Sequence, residues 1–273
     1  MQRALVVGMG KTGTTIVASV IWNSIAPARL EMEPLNVGFF EKRGNVDSRL
    51  VVKLLYEHWM QRHSLLTGIL RGEAGFRADK TVAMIRDPRD GLISALMYSP
   101  FQRVVNGASK EQIDEWVRIV RDKEANPEKY SVLDLVDNLN RIFDAGYTPD
   151  WFFENFMRYA EWMGDNTDYF HLLRYEDFVA GRTAELSAYL GIELSSSREV
   201  DPAVRRVART KQSGEWRRMM LTKDVTYWRE RYGSALAMYG YCDWEIHPER
   251  SDPAVGSEYI LNITEEAFRS RTT

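Results

Sequence analysis

The sequence predicts an α/β protein whose single domain has a central parallel β-sheet flanked by helices. Short apolar runs that resemble buried strands alternate with helical segments, which is typical of such sheets. In addition, polar motifs suited to binding phosphate directly follow two of these runs, and parallel sheets bind ligands at the carboxyl ends of their strands. The chain has 273 residues, of which 44% are hydrophobic and 27% charged, an ordinary composition for a globular protein.

The strand candidates are short apolar runs, several of them rich in β-branched residues. They cover residues 4–7, 50–56, 81–85 and 169–173. Helices are predicted at 14–25, at 90–98 with Pro100 ending the helix, after the fourth strand as far as Gly191, and at 223–239. The stretch 109–165 is predicted to be helical, with a capping box of Ser109 and Gln112 at its start, a break at Pro127 and two amphipathic helices after it.

These elements define one predicted domain over 1–244, in which 109–165 is a helical insert. Beyond that point the chain becomes polar and contains prolines, so we expect 245–273 to be a surface tail.

Charge and cysteine content exclude several classes of function. A net charge of −3 and a pI near 5.9 argue against a general nucleic-acid or anionic-membrane surface. The single cysteine, Cys242, excludes a disulfide framework and a cysteine zinc site. No apolar run approaches the roughly 20 residues of a membrane helix. We therefore expect a cytoplasmic protein without nucleic-acid or membrane partners.

The first phosphate motif is GMGKTGTT at residues 8–15, directly after the first strand. Its glycines allow close backbone approach to an anion, and the following helix directs N–H groups toward it. The usual triphosphate loop is G-x-x-x-x-G-K-[ST], but its first glycine would fall at Leu5, inside the strand. The pattern therefore indicates a different phosphate ligand.

The second motif is RDPRDGLIS at residues 86–94, after the third strand candidate. Arg86 offers a planar guanidinium that binds phosphate through two charge-assisted bonds, and Ser94 adds a hydroxyl donor one turn into the next helix. Pro88 is expected to end the strand and Asp90 to cap that helix. Two anion sites on neighbouring strand ends suggest a ligand with phosphates at both ends.

Together these motifs resemble the sulfotransferases that use 3′-phosphoadenosine 5′-phosphosulfate (PAPS). Residues 11–15 resemble the family's P-K-[ST]-G-T-[TS] loop, and 86–94 resemble R-[ND]-P-x-D with a serine eight positions after the arginine. Three further segments, YEDF at 175–178, GEWR at 214–217 and YGSALAMYGY at 232–241, resemble the family's Y-E-D-[LM], G-D-W-[KR] and G-x-x-[LM]-x-x-[LY]-G-Y. The resemblance runs in order from about residue 4 to 241.

The resemblance implies a P-loop nucleotide-kinase-like fold and direct in-line transfer of a sulfuryl group from PAPS to a hydroxyl of a small molecule, natural product or carbohydrate. The products would be the sulfated acceptor and adenosine 3′,5′-bisphosphate (PAP), and no metal is required. Lys11 would bind the 5′-phosphosulfate and stabilise the leaving phosphate. The implied cofactor-binding residues are Lys11, Thr12, Gly13, Thr14, Thr15, Arg86, Ser94, Tyr175, Arg209 and Lys211.

Two departures from the family pattern concern these residues. The late loop, R-K-G-x-x-G-D-W in many cytosolic members, reads RTKQSGEW at 209–216, so its central lysine and first glycine are lost. Arg209 keeps its place, and Lys211 is the candidate substitute for the lysine. The proline that usually precedes the loop lysine is Gly10 here.

The general base has more than one candidate. Glu33, followed by Pro34 and by FF at 39–40, resembles the E-P-[HL]-x-F segment in which a glutamate is the base in carbohydrate-type and bacterial members. His58 is the rival, because the hormone and phenol enzymes carry a histidine on a V-K-T-H-L-P strand that VKLLYEH resembles; His63 is a further possibility. Lys53 on that strand is expected near the transferred group.

Two other functions are compatible with parts of the pattern. A P-loop kinase using ATP and Mg²⁺ would explain Gly10-Lys11-Thr12 but not RDPRDGLIS. A nucleotide-binding protein without catalytic activity would retain the pocket but not transfer the group.

Overall fold

A computed structural model describes residues 1–43, 49–195 and 212–271. Of residues 42 and 43 it describes the backbone alone. By their contacts the described residues divide into two compact units. The first draws on Met1–Arg86 and Asn155–Ala208, and the second on Asp87–Glu154 and Arg209–Thr273.

The first unit contains a five-stranded, all-parallel sheet, which confirms the predicted fold class. The strands are β1 (Arg3–Gly8), β2 (Arg29–Met32), β3 (Leu50–Leu55), β4 (Lys80–Ile85) and β5 (His171–Arg174), in the spatial order β2-β3-β1-β4-β5. The helices of this unit are α1 (Thr14–Ser24), α2 (Val37–Arg43), α3 (His63–Arg71), the greater part of α7 (Trp151–Gly164), α8 (Tyr175–Val179) and α9 (Ala184–Leu190).

The central strands are buried because helices cover both faces of the sheet. Ala4 and Val6 of β1 pack into a cluster with the apolar face of α1 and residues of α8 and α9. Leu5 and Val7, which point to the opposite face by strand periodicity, are also buried. There the hydroxyl of Tyr159 in α7 donates to the Val7 carbonyl.

The sequence did not predict β2. Its residues, RLEM, are half-exposed and carry two charged side chains, so they lack the apolar run on which strand prediction depends. Their strand conformation comes from pairing with β3, residue by residue from Arg29 opposite Leu50 to Met32 opposite Lys53.

The second unit is helical. Its helices are α4 (Pro88–Val105), α5 (Lys110–Ala125), α6 (Val132–Phe143), the first turn of α7, α10 (Trp216–Met219), α11 (Thr222–Met238) and α12 (Ser257–Arg271). The helices predicted within 109–165 are present, including the capping box of Ser109 and Gln112.

Two expectations about α4 were wrong. Pro100 lies inside the helix and does not end it. The helix, most of which is buried, continues to Val105 even though proline has no N–H to donate within it. The N-cap is Asp87, whose carboxylate accepts from the Arg89 N–H, and Pro88 occupies the first turn, where proline is favoured. Asp90 therefore has a different role, described below.

The segment beyond residue 244, expected to be a surface tail, includes a helix with a buried face. Tyr259, Ile260 and Ile263 of α12 are buried, and the Glu124 carboxylate in α5 accepts from both the N–H and the hydroxyl of Ser257, each at 2.7 Å. The domain boundary at 244 stays a prediction.

Candidate active site

The predicted site residues of the first unit follow the carboxyl ends of adjacent strands. Because all five strands are parallel, these ends lie along one edge of the sheet. In sheet order, Glu33 follows β2, Lys53 lies near the end of β3 with His58 just after it, the loop of residues 9–13 follows β1, Arg86 follows β4, and Tyr175 follows β5. The expectation that the two phosphate motifs follow neighbouring strands is confirmed, since β1 pairs with β4.

The loop of residues 9–13 bends sharply into helix α1. Lys11 has φ 68° and Gly13, the N-cap of α1, has φ 88°, so both adopt the left-handed backbone conformation. The Thr12 hydroxyl donates to the Met9 carbonyl at 2.7 Å, which closes the turn. Thr14 and Thr15 open the helix, and its first turn contains no acidic residue. The helix N-terminus therefore has the positive electrostatic character that favours an anion.

Arg86 connects this loop to the end of β4. One guanidinium nitrogen, Nη1, donates to the Lys11 carbonyl at 2.9 Å. Arg86 is 5% exposed, so this contact lies in a largely desolvated environment. The Arg86 side chain and the Lys11 backbone, one from each of the two phosphate motifs, are thus in direct contact.

Tyr175 packs against both residues that shape this part of the site. The Arg86 guanidinium lies over the tyrosine ring, 4.4 Å from its centroid. On the other side, a Cβ atom added to Gly13 would fall 2.4 Å from Tyr175 Cδ2, so only glycine fits beneath the ring. The ring therefore fixes both the start of α1 and the orientation of Arg86.

On the other side of the loop, Glu33, Lys53 and His58 form a cluster. The buried Lys53 Nζ donates to Glu33 Oε1, and His58 Nδ1 lies 3.9 Å from Glu33 Oε2. The side chains of Glu33 and His58 are 34% and 35% exposed, so both competing base candidates reach solvent from the same place. Glu33 also has a left-handed backbone, with φ 55°.

The cluster favours a neutral imidazole. Burial lowers the pKa of His58; the Glu33 carboxylate opposes this shift, and the Lys53 charge adds to it. Burial likewise lowers the pKa of Lys53, against the stabilising effect of Glu33 on the ammonium. A neutral His58 and an ion-paired Glu33 are each able to accept a proton.

His63, the third base candidate, lies elsewhere in the first unit. Its Nε2 is 2.7 Å from the Tyr56 hydroxyl oxygen, and this hydroxyl donates its proton to the Arg158 carbonyl. Its ring therefore helps to pack Tyr56 and lies outside the Glu33–Lys53–His58 cluster.

Sequence reasoning missed Glu57, which lies beside His58 in the turn after β3. Its Oε1 accepts from the Gly10 N–H at 2.8 Å, so it contacts the loop of residues 9–13 from the β3 side. Burial raises the pKa of this carboxyl, and the hydrogen bonds from backbone N–H groups and the Lys53 charge oppose that shift. The available sequence signal was its position: Glu57 follows β3, the strand that carries the predicted site residue Lys53.

The second unit holds the remaining predicted residues. Ser94 is buried in α4. Asp90, fully buried in the same helix, accepts from the N–H groups of Gly214 at 2.6 Å and Trp216 at 3.0 Å. RDPRD and GEW, two of the recognised motifs, are thus joined directly. Arg209 and Lys211 lie outside the described residues.

Arg89 reinforces this junction. Its guanidinium forms an ion pair with Asp87 at 2.6 Å and lies over the rings of Trp216 and Trp244, 3.8 and 4.4 Å from their centroids. The middle of the RDPRD motif is therefore structural in this unit.

No protein-family model and no curated protein matches the sequence. The structure is nevertheless similar to a known fold, that of the sulfotransferases. The crystal structure of mouse sulfotransferase SULT7A1 complexed with PAP matches with a TM-score of 0.53 and 16% sequence identity, covering 88% of this chain and 87% of the mouse chain. At this identity the match shows the fold.

Among the described residues, no helix is long and apolar enough to cross a membrane, and no group of three or more His, Cys, Asp or Glu side chains could hold a metal ion.

Packing of Tyr175 on Gly13 leads to a stability prediction. Gly13→Ala should lower the free energy of unfolding by about 1–3 kcal/mol more than Gly181→Ala, because only the first substitution forces a methyl group into the ring. Gly181 is a matched control, since its φ of 78° is also positive but its added Cβ would meet nothing within 4 Å. Urea denaturation of both variants measures the difference, and equal losses would show that the ring does not pack there.

Proposed function

We propose that this protein is a sulfotransferase that transfers a sulfuryl group from PAPS to a hydroxyl acceptor. The observation that carries the proposal is the hydrogen bond between Arg86 and the Lys11 carbonyl, because it unites two anion-binding motifs on adjacent strand ends. A ligand with phosphate at both ends of one nucleoside matches this arrangement. The fold similarity to a sulfotransferase complexed with PAP supports the same ligand class.

The two sides of the loop of residues 9–13 would bind different substrates. On the β4 and β5 side, Arg86 would bind the 3′-phosphate, and Tyr175 would lie against the nucleotide. Ser94, Arg209 and Lys211 stay sequence-based assignments to the same phosphate. On the β2 and β3 side, the Glu33–Lys53–His58 cluster would face the acceptor.

The proposed reaction is a single in-line displacement. The acceptor oxygen forms a bond to sulfur while the bond from sulfur to the bridging oxygen of the 5′-phosphate breaks, and PAP leaves with that electron pair. The hydroxyl proton passes to Glu33 or His58. Lys11 and the N–H groups at the start of α1, with Thr12–Thr15, would stabilise the negative charge that develops on the leaving phosphate. Lys53 would stand near the transferred group.

Selective binding of PAP over AMP tests the ligand. Each charge-assisted hydrogen bond contributes about 1.5–3 kcal/mol, so calorimetry should show that the protein binds PAP at least tenfold more tightly than AMP. Arg86→Met should remove most of this preference, whereas the exposed control Arg182→Met should retain it. The quantity to compare is the ratio of the PAP affinity to the AMP affinity, because loss of the Arg86–Lys11 hydrogen bond would change the binding of both ligands. Equal affinities in the unmodified protein would refute the proposed ligand.

Transfer itself depends on Lys11. Lys11→Met should lower kcat for PAP formation from PAPS by about 10²–10³-fold with a hydroxyl acceptor, since one preorganised positive group at the developing charge is removed. The exposed Lys110→Met is the control. Retained PAP binding without transfer to any of a panel of hydroxyl compounds, in the unmodified protein, would instead identify a binding protein without catalysis.

The two base candidates make different predictions. A positioned base contributes about 10²–10⁴-fold, so Glu33→Gln should lower kcat by that factor if Glu33 accepts the proton, and His58→Ala should do so if the imidazole accepts it. A variant that loses less than tenfold excludes its residue as the base. PAP affinity serves as the control measurement, since neither residue would contact the nucleotide.

A further inference from the structure

The loop of residues 9–13 is held from both neighbouring strands. On the β4 side, Arg86 donates to the Lys11 carbonyl at 2.9 Å. On the β3 side, Glu57 Oε1 accepts from the Gly10 N–H at 2.8 Å. The two contacts act on consecutive residues and have opposite polarity, one on a carbonyl and the other on an N–H group.

These contacts surround a strained position. Lys11 adopts φ 68°, a left-handed conformation that is unfavourable for a residue with a side chain. Such strain persists only where the surroundings fix the backbone. The hydrogen bonds to the Gly10 N–H and to Lys11's own carbonyl supply that constraint. They thereby determine where the Lys11 side chain starts.

We propose that Glu57 is a positioning residue that holds the phosphosulfate loop through Gly10 and acts as a hydrogen-bond acceptor, not as a negative charge. The inference rests on the proposed function for the identity of the ligand.

The surroundings of the Glu57 carboxyl support its role as an acceptor without negative charge. Glu57 Oε2 is buried and has no hydrogen-bond partner among the described residues. A carboxylate with one unsatisfied buried oxygen is unfavourable, and burial accordingly raises the pKa of Glu57. An uncharged carboxyl still accepts the Gly10 N–H, and it leaves the positive field of Lys11 intact for an anionic ligand.

Two substitutions separate an acceptor from a charge. Glu57→Gln keeps an acceptor oxygen and mimics the uncharged acid, whereas Glu57→Met has similar length but no acceptor. We expect Glu57→Met to weaken PAP binding about tenfold or more and Glu57→Gln to stay within about threefold of the unmodified protein. The exposed α7 residue Glu161, changed to Met, is the control for adding an apolar side chain.

Hydrogen exchange of the Gly10 amide in the ligand-free protein gives a second measurement. Exchange should be about tenfold faster in Glu57→Met and nearly unchanged in Glu57→Gln. Unmodified PAP binding and exchange in Glu57→Met would overturn the proposal. Equal loss in both variants, with urea denaturation showing both to be folded, would also overturn it by showing that the charge matters. If the unmodified protein does not bind PAP, the proposed function fails, but the exchange measurement still decides the role of Glu57.

Discussion

The candidate site depends on the parallel pairing of β1 with β3 on one side and β4 on the other. This register brings the ends of three strands to the same level, so that residues more than 70 positions apart are in hydrogen-bond contact, as the Arg86 side chain is with the Lys11 backbone carbonyl. Antiparallel pairing of either neighbour would send its functional residues to the opposite edge of the sheet. The contacts of Arg86 and Glu57 with the loop of residues 9–13 follow from this arrangement, and the pairing of β5 with β4 brings Tyr175 to the same edge.

Backbone strain is concentrated at the same edge. Within the described part of the chain, three residues other than glycine have a clearly positive φ, and Lys11 and Glu33 are two of them. Both are residues that the sequence had identified as catalytic candidates. Left-handed conformations at such residues are costly, and they commonly mark positions where function requires a particular side-chain direction. The ion pair of Glu33 with the buried Lys53 stabilises one of them, and the contacts of Gly10 and Lys11 stabilise the other.

Much of this organisation was predictable, because apolar periodicity and phosphate motifs are local signals. The four strands β1, β3, β4 and β5, the order of the motifs and the adjacency of β1 and β4 follow from them. Strand β2 was not predictable, since its RLEM sequence forms a strand only through pairing with β3. Asp90 was assigned as a helix cap because its type and position suit one, but its contacts to Gly214 and Trp216 lie more than 120 positions away. Glu57 was missed for the same reason: its partner, Gly10, is distant in sequence.

The distribution of charge along the sheet edge has a physical consequence for the proposed reaction. Carboxyl groups lie on the β2 and β3 side of the loop, where Glu33 pairs with Lys53 and Glu57 is driven by burial toward its uncharged form. The guanidinium of Arg86 lies on the β4 side. In the proposed reaction an anionic nucleotide would therefore be attracted to one side of Lys11, while a proton acceptor would remain on the other side without placing an uncompensated negative charge beside the phosphosulfate. If the proposed function holds, separation of anion binding from proton acceptance by a single loop would allow both to operate within a few residues of each other, and the rate would depend on the geometry of that loop.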